Sequence, residues 1–181
     1  MKPALLGCLS LLLATDVLAH RLDEYLQVTR ISVATNRVNL SLDLTPGVAV
    51  ADHVLSVIDK DRDGRASEKE VAAYARRVLK DIQAGLDEKV LSLRLVDTSF
   101  PDLANVKKGI GVIRIKATAS ILPLSAGNHS LTLANSHLPT ISVYLVNALV
   151  PTHPAIKITK QTRDELQKHY RLEFGVNPST P

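Results

Sequence analysis

The chain has 181 residues, a formal net charge of +4 and an aromatic content of 3%. Its basic residues are interleaved with acidic ones and its aromatics are scarce, so it lacks the positive cluster and stacking residues typical of nucleic-acid-binding proteins. The single cysteine, Cys8, lies in the first ten residues. A domain that follows this segment has no disulfide, thiolate metal site or thiol nucleophile.

The N-terminus has the pattern of a secretory signal peptide, predicted over residues 1–19. Lys2 precedes an apolar run over residues 4–13, and small residues suited to signal peptidase end at Ala19. The run is shorter than the ~20 apolar residues that a membrane span requires, and no later segment approaches that length. We therefore expect residues 20–181 to form one exported, periplasmic domain without a membrane span.

The first predicted elements are two strands that form a β-hairpin. Residues 25–33 and 38–44 alternate in polarity with a period of two, on either side of a turn at Asn36-Arg37. Pro46-Gly47 then ends the strand pattern. A different period begins after this point, so a helical insertion is expected over about residues 47–86.

Residues 59–70, with the sequence DKDRDGRASEKE, follow the pattern D-x-D-x-D-G-x5-E of an EF-hand calcium loop. Calcium prefers six to eight oxygen ligands, which a twelve-residue loop supplies from alternate positions around a sharp turn at Gly64. A bidentate Glu70 at the last position favours calcium over magnesium. The predicted metal ligands are the side chains of Asp59, Asp61, Asp63, Ser67 (directly or through water) and Glu70, and the carbonyl oxygen of Arg65.

Helices are predicted on both sides of this loop. Apolar residues recur at i, i+3 and i+4 over residues 50–58 and again over 71–82, and the second helix is expected to end near Gly85. Ser67 and Glu70 have the spacing of a capping box at the start of that helix. The sequence has no second loop to pair with the first, and basic residues dilute its charge. We expect weak binding, with a dissociation constant of about 0.1 to 1 mM, and a structural role for calcium.

Short strands at about ten-residue spacing follow the helices. The fold class predicted is mainly β (α+β), an antiparallel β-sandwich of about eight strands with an EF-hand inserted between the second and third strands. Residues 141–150 are the most apolar segment and are expected to form a central strand. The six later strand candidates are residues 90–95, 111–119, 129–133, 141–149, 155–159 and 170–176.

Three segments resemble a known family: HRLDEYLQ at residues 20–27, LTPGVAV at 44–50 and SVYLVNALV at 142–150. They are similar to the periplasmic segment that precedes the membrane helices of some HupE/UreJ-like proteins, a family associated with nickel or cobalt transport. The resemblance implies a stand-alone form of that segment. The membrane helices are absent from this chain, so a transport activity is not expected.

The resemblance implies a second hypothesis, in which the mature N-terminus handles nickel, cobalt or copper. After cleavage, His20 carries an α-amino nitrogen and an imidazole, a chelating pair that such metals favour. His129 and His137 complete this site if the fold brings them close. In the alternative interpretation His20 begins a strand and the other two histidines cap loops, because no two histidines share a ligand spacing such as H-x3-H.

The sequence lacks the motifs of the common hydrolases: G-x-S-x-G, H-E-x-x-H, a cysteine nucleophile and a Gly-rich phosphate loop. The only clustered ionisable groups already belong to the predicted calcium loop, so we expect a non-catalytic protein. The expected partners are the calcium ion and a periplasmic or membrane protein, with no nucleic acid.

Overall fold

A computed structural model describes residues 23–178, so the predicted signal peptide and His20 lie outside the described residues. The protein is mainly β, with three helices and ten strands among the described residues. In chain order these are β1 Tyr25–Ala34, β2 Arg37–Pro46, α1 Val48–Ile58, α2 Glu68–Lys80, β3 Ile82–Leu86, β4 Lys89–Val90, β5 Arg94–Ser99, α3 Leu103–Lys107, β6 Ile113–Ser120, β7 Gly127–Asn135, β8 Ser142–Ala148, β9 Ile156–Arg163 and β10 His169–Val176.

The strands form two five-stranded sheets. The first has the order β5-β6-β2-β1-β8 and the second the order β4-β3-β7-β10-β9. β1 and β2 are the predicted hairpin, paired from Tyr25 opposite Pro46 to Ala34 opposite Arg37. Arg37 therefore belongs to β2, and the turn lies one residue earlier than predicted, at Thr35-Asn36.

Both sheets and both long helices contribute to one apolar core, which gives a sandwich-like arrangement. On β1 and β2 the side chains alternate between buried and partly exposed, which confirms the period of two read from the sequence. Fully buried members of the core include Ile31 and Leu42 from the first sheet, Leu131 and Leu172 from the second, and Val54 and Val78 from the helices.

The prediction for the end of the second helix was wrong. α2 ends at Lys80, and Ile82–Leu86 forms β3, which pairs with β7. Burial of Ile82 and Leu86 fits both the helical period and the strand period of two, and burial of Ala84 between them fits only the strand. Over five residues the apolar pattern in the sequence does not separate a helix from a strand, and the pairing with β7 decides it.

Two further strand predictions were wrong. Residues 90–95 were expected to form one strand, but Val90 belongs to β4 in the second sheet and Arg94 to β5 in the first. With β3, this division raises the strand count from eight to ten. The sandwich is also not purely antiparallel, because β1 and β8 run parallel.

The most apolar strand, β8, lies at a sheet edge and not at the centre as predicted. Side chains cover its free edge: Gln167 and Gln161 accept hydrogen bonds from the amides of Val146 and Ala148, at 3.4 and 3.3 Å. Arg163 Nε donates to the Val146 carbonyl at 2.9 Å. An edge whose backbone groups are paired in this way does not offer a free ladder to another chain.

Among residues 23–178, no helix has both the length and the hydropathy that crossing a bilayer requires.

Candidate metal site

The twelve-residue loop lies between α1 and α2, as the sequence predicted. Asp59 is the C-cap residue of α1, and Ser67 is the N-cap residue of α2. The Glu70 amide donates to Ser67 Oγ at 3.4 Å, and the Ser67 amide donates to Glu70 Oε2 at 3.1 Å. This confirms the predicted capping box, which fixes where the second helix begins.

The loop gathers three of the predicted ligands. Carboxylate oxygens of Asp59, Asp61 and Asp63 lie within 4.8 Å of one another, and within residues 23–178 this is the one group of three or more His, Cys, Asp or Glu side chains with metal-site spacing. Like charges at such distances repel one another by about 1 kcal/mol per pair even in water. A cation at the centre of the three carboxylates removes this repulsion.

Backbone amides orient these carboxylates. Gly64 N–H donates to Asp59 Oδ2 at 3.0 Å, Asp63 N–H to Asp61 Oδ1 at 3.2 Å, and Arg65 N–H to Asp63 Oδ1 at 2.8 Å. Gly64 has φ +78°, the left-handed conformation for which the sequence required glycine at this position. Each aspartate thus has one oxygen bonded to the loop backbone, and the loop curves around its own carboxylates.

The second oxygen of Asp59 provides a test of whether the site fits a cation. Asp59 Oδ1 is buried and has no hydrogen-bond partner, one of two such side-chain atoms within residues 23–178. A buried carboxylate oxygen without a donor is costly, so native proteins pair it with a hydrogen bond or a cation. A hard cation matches this oxygen and the two neighbouring carboxylates.

Glu70 does not join the group of three aspartates. Its Oε1 accepts a hydrogen bond from the Lys60 amide at 2.6 Å, and its Oε2 accepts one from the Ser67 hydroxyl at 2.7 Å. Hydrogen bonds from the Ser67 hydroxyl, the Lys60 amide and the Ser67 amide lower the pKa of Glu70 to about 2, so the carboxylate is ionised at neutral pH. The bond to Lys60, which follows Asp59, holds it against the start of the loop. The ligand roles of Glu70, Ser67 and the Arg65 carbonyl stay predictions.

A buried polar network, absent from the sequence-based prediction, surrounds His137. Its ring is fully buried, with Nδ1 2.7 Å from Asp81 Oδ2 and Nε2 3.0 Å from the Tyr74 hydroxyl. The Tyr74 hydroxyl is in turn 2.6 Å from that of Tyr25. Tyr74 lies on α2 and Asp81 is its C-cap residue, so the network joins the helix that leaves the loop to the first strand.

The backbone of His137 is equally well bonded. Its carbonyl accepts hydrogen bonds from Gln27 Nε2 at 2.9 Å, from Ser142 Oγ at 3.1 Å and from the Tyr144 hydroxyl at 2.9 Å. Its amide donates to Asn135 Oδ1 at 3.0 Å, and Asn135 Nδ2 donates to Gln27 Oε1. These hydrogen bonds fix the position of His137, whose ring in turn bonds to Tyr74 on α2 and to its C-cap residue Asp81.

The network has one arrangement of protons when His137 is neutral. A carboxylate only accepts, so Nδ1 of His137 carries the proton that is donated to Asp81, and Nε2 is an acceptor. The Tyr74 hydroxyl therefore donates to Nε2, and the Tyr25 hydroxyl donates to Tyr74. Burial is the main cause that lowers the pKa of His137, against the opposing effect of Asp81. Burial also raises the pKa of both tyrosines, so they stay protonated.

The structure does not bring His129 and His137 together in a metal site. His129 Nδ1 is 2.6 Å from Asp87 Oδ2, and its Nε2 is 2.9 Å from the Ser125 carbonyl. Both ring nitrogens of both histidines are therefore engaged by protein groups. Within residues 23–178 no contact supports the transition-metal hypothesis, and His20 lies outside them.

One signal in the sequence pointed to the buried network. Gln27 shares the inward face of β1 with Tyr25 and Ile31, and all three side chains are fully buried. A long amide on a core face requires partners, because an unpaired buried amide costs about 1 to 3 kcal/mol. That the partners are His137 and Asn135, about 110 residues away, is not readable from the sequence.

Comparisons with known proteins identify no relative: no family model matches the chain, and no curated protein and no solved structure matches it significantly.

Proposed function

We propose that this protein is an exported, non-catalytic calcium-binding module in which one EF-hand, inserted in a β-sandwich, holds a structural Ca2+ ion. Asp59, Asp61 and Asp63 would bind it through carboxylate oxygens, joined by the Arg65 carbonyl, Ser67 and Glu70. The observation that carries the proposal is the buried Asp59 Oδ1, which has no hydrogen-bond donor and belongs to the cluster of three carboxylates.

The donor set favours calcium over other divalent cations. All the proposed ligands are oxygens, which suit a hard cation and disfavour nickel, copper or zinc. A chelate in which Glu70 contributes both oxygens exceeds the six ligands that magnesium accepts. To bind in this way, the Glu70 carboxylate must exchange its bonds with Lys60 and Ser67 for the ion, so calcium binding competes with the capping box.

The packing of the two helices supports a structural role for the ion. Sensor EF-hands open on binding calcium and expose an apolar groove. Here Val54 and Ile58 of α1, and Tyr74 and Val78 of α2, are at most 3% exposed and belong to the same core as the two sheets. Opening the helices would remove these side chains from that core. A periplasmic or membrane protein partner would then bind a surface that calcium does not create.

Thermal unfolding with and without calcium tests the proposal. A structural ion raises the melting temperature, because a ligand at about 10 times its dissociation constant, here about 1 to 10 mM calcium, stabilises the fold by about 1.4 kcal/mol. Asp59→Asn should abolish this effect. Asp52→Asn, on the exposed face of α1, is the matched control and should retain it.

Three outcomes would count against the proposed structural calcium site. Equal stabilisation by magnesium and calcium would contradict the proposed selectivity, and no response of the parent protein to millimolar calcium would overturn the proposal. Strong binding of a hydrophobic dye on adding calcium would contradict the structural role.

A further inference from the structure

The helix that leaves the loop joins the candidate metal site to the buried network. Glu70 and Tyr74 are four residues apart on α2 and lie on one face of the helix. Glu70 is a proposed ligand, whereas Tyr74 is hydrogen-bonded to His137. Asp81, at the other end of the helix, binds the same imidazole. The position of α2 relative to Asp59 therefore depends on both contacts of His137.

Protonation of His137 changes the donors and acceptors in the hydrogen bonds that join His137, Tyr74 and Tyr25. Once Nε2 carries a proton it donates to the Tyr74 oxygen, and the Tyr74 hydroxyl loses its acceptor unless it turns its own proton towards the Tyr25 oxygen. In that case the Tyr25 hydroxyl loses its acceptor instead. Tyr25 is fully buried, and among residues 23–178 its hydroxyl bonds only to the hydroxyl of Tyr74. The reversed chain thus leaves a hydroxyl without an acceptor in the core, which is unfavourable.

We propose that protonation of His137 and calcium binding at residues 59–70 oppose each other, because each requires a different position of α2. The neutral network holds α2 where Glu70 lies beside the loop, 2.6 Å from the amide that follows Asp59, so that its carboxylate can exchange this bond for the ion without movement of the helix. The reversed network relaxes by moving Tyr74, and with it the preceding turn of α2 that carries Glu70, away from Tyr25. The proposal rests on the proposed calcium site, and it adds regulation by pH to that site.

The groups that face the imidazole come from several elements. The C-cap Asp81 favours the charged ring, while Arg77 on α2 disfavours it; the remaining titratable groups are the buried hydroxyls of Tyr74, Tyr25 on β1 and Tyr144 on β8. Asn135 on β7 and Gln27 on β1 are neutral and bond to the backbone of His137 and not to its ring. Asp81 is thus the one negative charge that faces the ring among the described residues.

Calcium titrations of the full mature chain at about pH 7.5 and about pH 5 test the coupling. Because burial lowers the pKa of His137, the lower value is set well below the ordinary histidine pKa, and it still lies above the ordinary pKa values of the carboxylate ligands. We expect the parent protein to bind calcium about fivefold or more weakly at the lower pH, within the usual range of coupling between sites. His137→Gln, which cannot be charged, should remove most of this difference.

His169→Gln is the matched control. His169 also places Nδ1 against an aspartate, 2.8 Å from Asp164 Oδ2, but its side chain is 74% exposed and lies far from α2 in sequence. This variant should keep the pH dependence of the parent. His129→Gln is a second control, since His129 also titrates beside an aspartate, Asp87.

A second measurement keeps the proposal testable if His137→Gln fails to fold. Coupling is reciprocal, so saturating calcium should lower the pKa of His137 in the parent protein by the logarithm of the same factor. The pKa is read from the ring proton resonances in an NMR titration. An unchanged pKa, or equal calcium affinity at both pH values, overturns the coupling but leaves the calcium site intact. Absence of calcium binding at either pH instead overturns the proposed function.

Discussion

The Tyr74 hydroxyl lies 3.0 Å from Nε2 of His137, a fully buried residue 63 positions further along the chain. Tyr74 belongs to the helix that leaves the candidate calcium loop, and His137 belongs to the connection between β7 and β8. The hydrogen bond therefore fixes the insertion that carries the candidate metal site to the body of the protein. Its neighbours in the network make this contact sensitive to substitution and to pH.

Tyr74→Phe should destabilise the calcium-free protein by about 1 to 3 kcal/mol in urea unfolding. The change leaves the buried Tyr25 hydroxyl without its acceptor and His137 Nε2 without its donor. Tyr144→Phe is the matched control, because the carbonyl that Tyr144 binds keeps its bonds from Gln27 and Ser142. Equal losses in the two variants would contradict the importance of Tyr74 to the network.

His137 and His129 should give opposite dependences of stability on pH. The pKa of His137 is lowered by burial, so its contribution is present above the unfolded pKa of about 6.5 and is lost as the pH falls. Burial also acts against a charge on His129, but its hydrogen bonds to Asp87 and the Ser125 carbonyl raise its pKa overall. Its contribution is present below pH ~6.5 and is lost as the pH rises through the raised pKa.

Urea unfolding between about pH 5 and 8 checks this difference. Relative to the parent, His137→Gln should reduce the loss of stability on acidification, and His129→Gln should increase it. Two variants that shift the profile in the same direction would show that one of the two environments is wrongly assigned.

The two members of the capping box should separate helix stability from metal binding. Ser67→Ala removes the N-cap and should destabilise the calcium-free protein by about 1 kcal/mol. Glu70→Gln replaces one of the two accepting oxygens with an amide NH2 group, so it also weakens the bonds from Lys60 or Ser67, and in addition it removes a proposed bidentate ligand. Calcium titration should therefore show a larger loss for Glu70→Gln than for Ser67→Ala. The reverse order would exclude Glu70 as a ligand.

Arg163→Ala should weaken the covered edge of β8. The side chain donates to the Val146 carbonyl at 2.9 Å and to Asn147 Oδ1 at 2.6 Å, and its guanidinium lies 5.2 Å from the centre of the Tyr170 ring. We expect a loss of about 1 to 2 kcal/mol and more aggregation on heating, measured by light scattering. Arg171→Ala, a change at an exposed arginine on β10, should alter neither property appreciably.

The sequence predicted local features well because their causes lie within a few residues. The capping box depends on Ser67 and Glu70 alone, and the left-handed turn at Gly64 depends on the absence of a side chain. The alternation over β1 and β2 is a property of each strand. The prediction from sequence failed at β3, where the helical and strand periods agree over five residues. It also failed at β8, because hydropathy does not determine the position of a strand within its sheet.

The residue pattern by itself determined the mainly β class, the hairpin, the helices that flank residues 59–70 and the oxygen-rich composition of that loop. Only the tertiary structure decided that β8 pairs in parallel with β1 at an edge, and that Asp81, His137, Tyr74 and Tyr25 share one network. These contacts join residues that are at least 49 positions apart, so they depend on chain topology and not on local periodicity. The proposed oxygen ligands are a property of twelve consecutive residues, whereas the position of the helix that carries Glu70 is set by the whole fold.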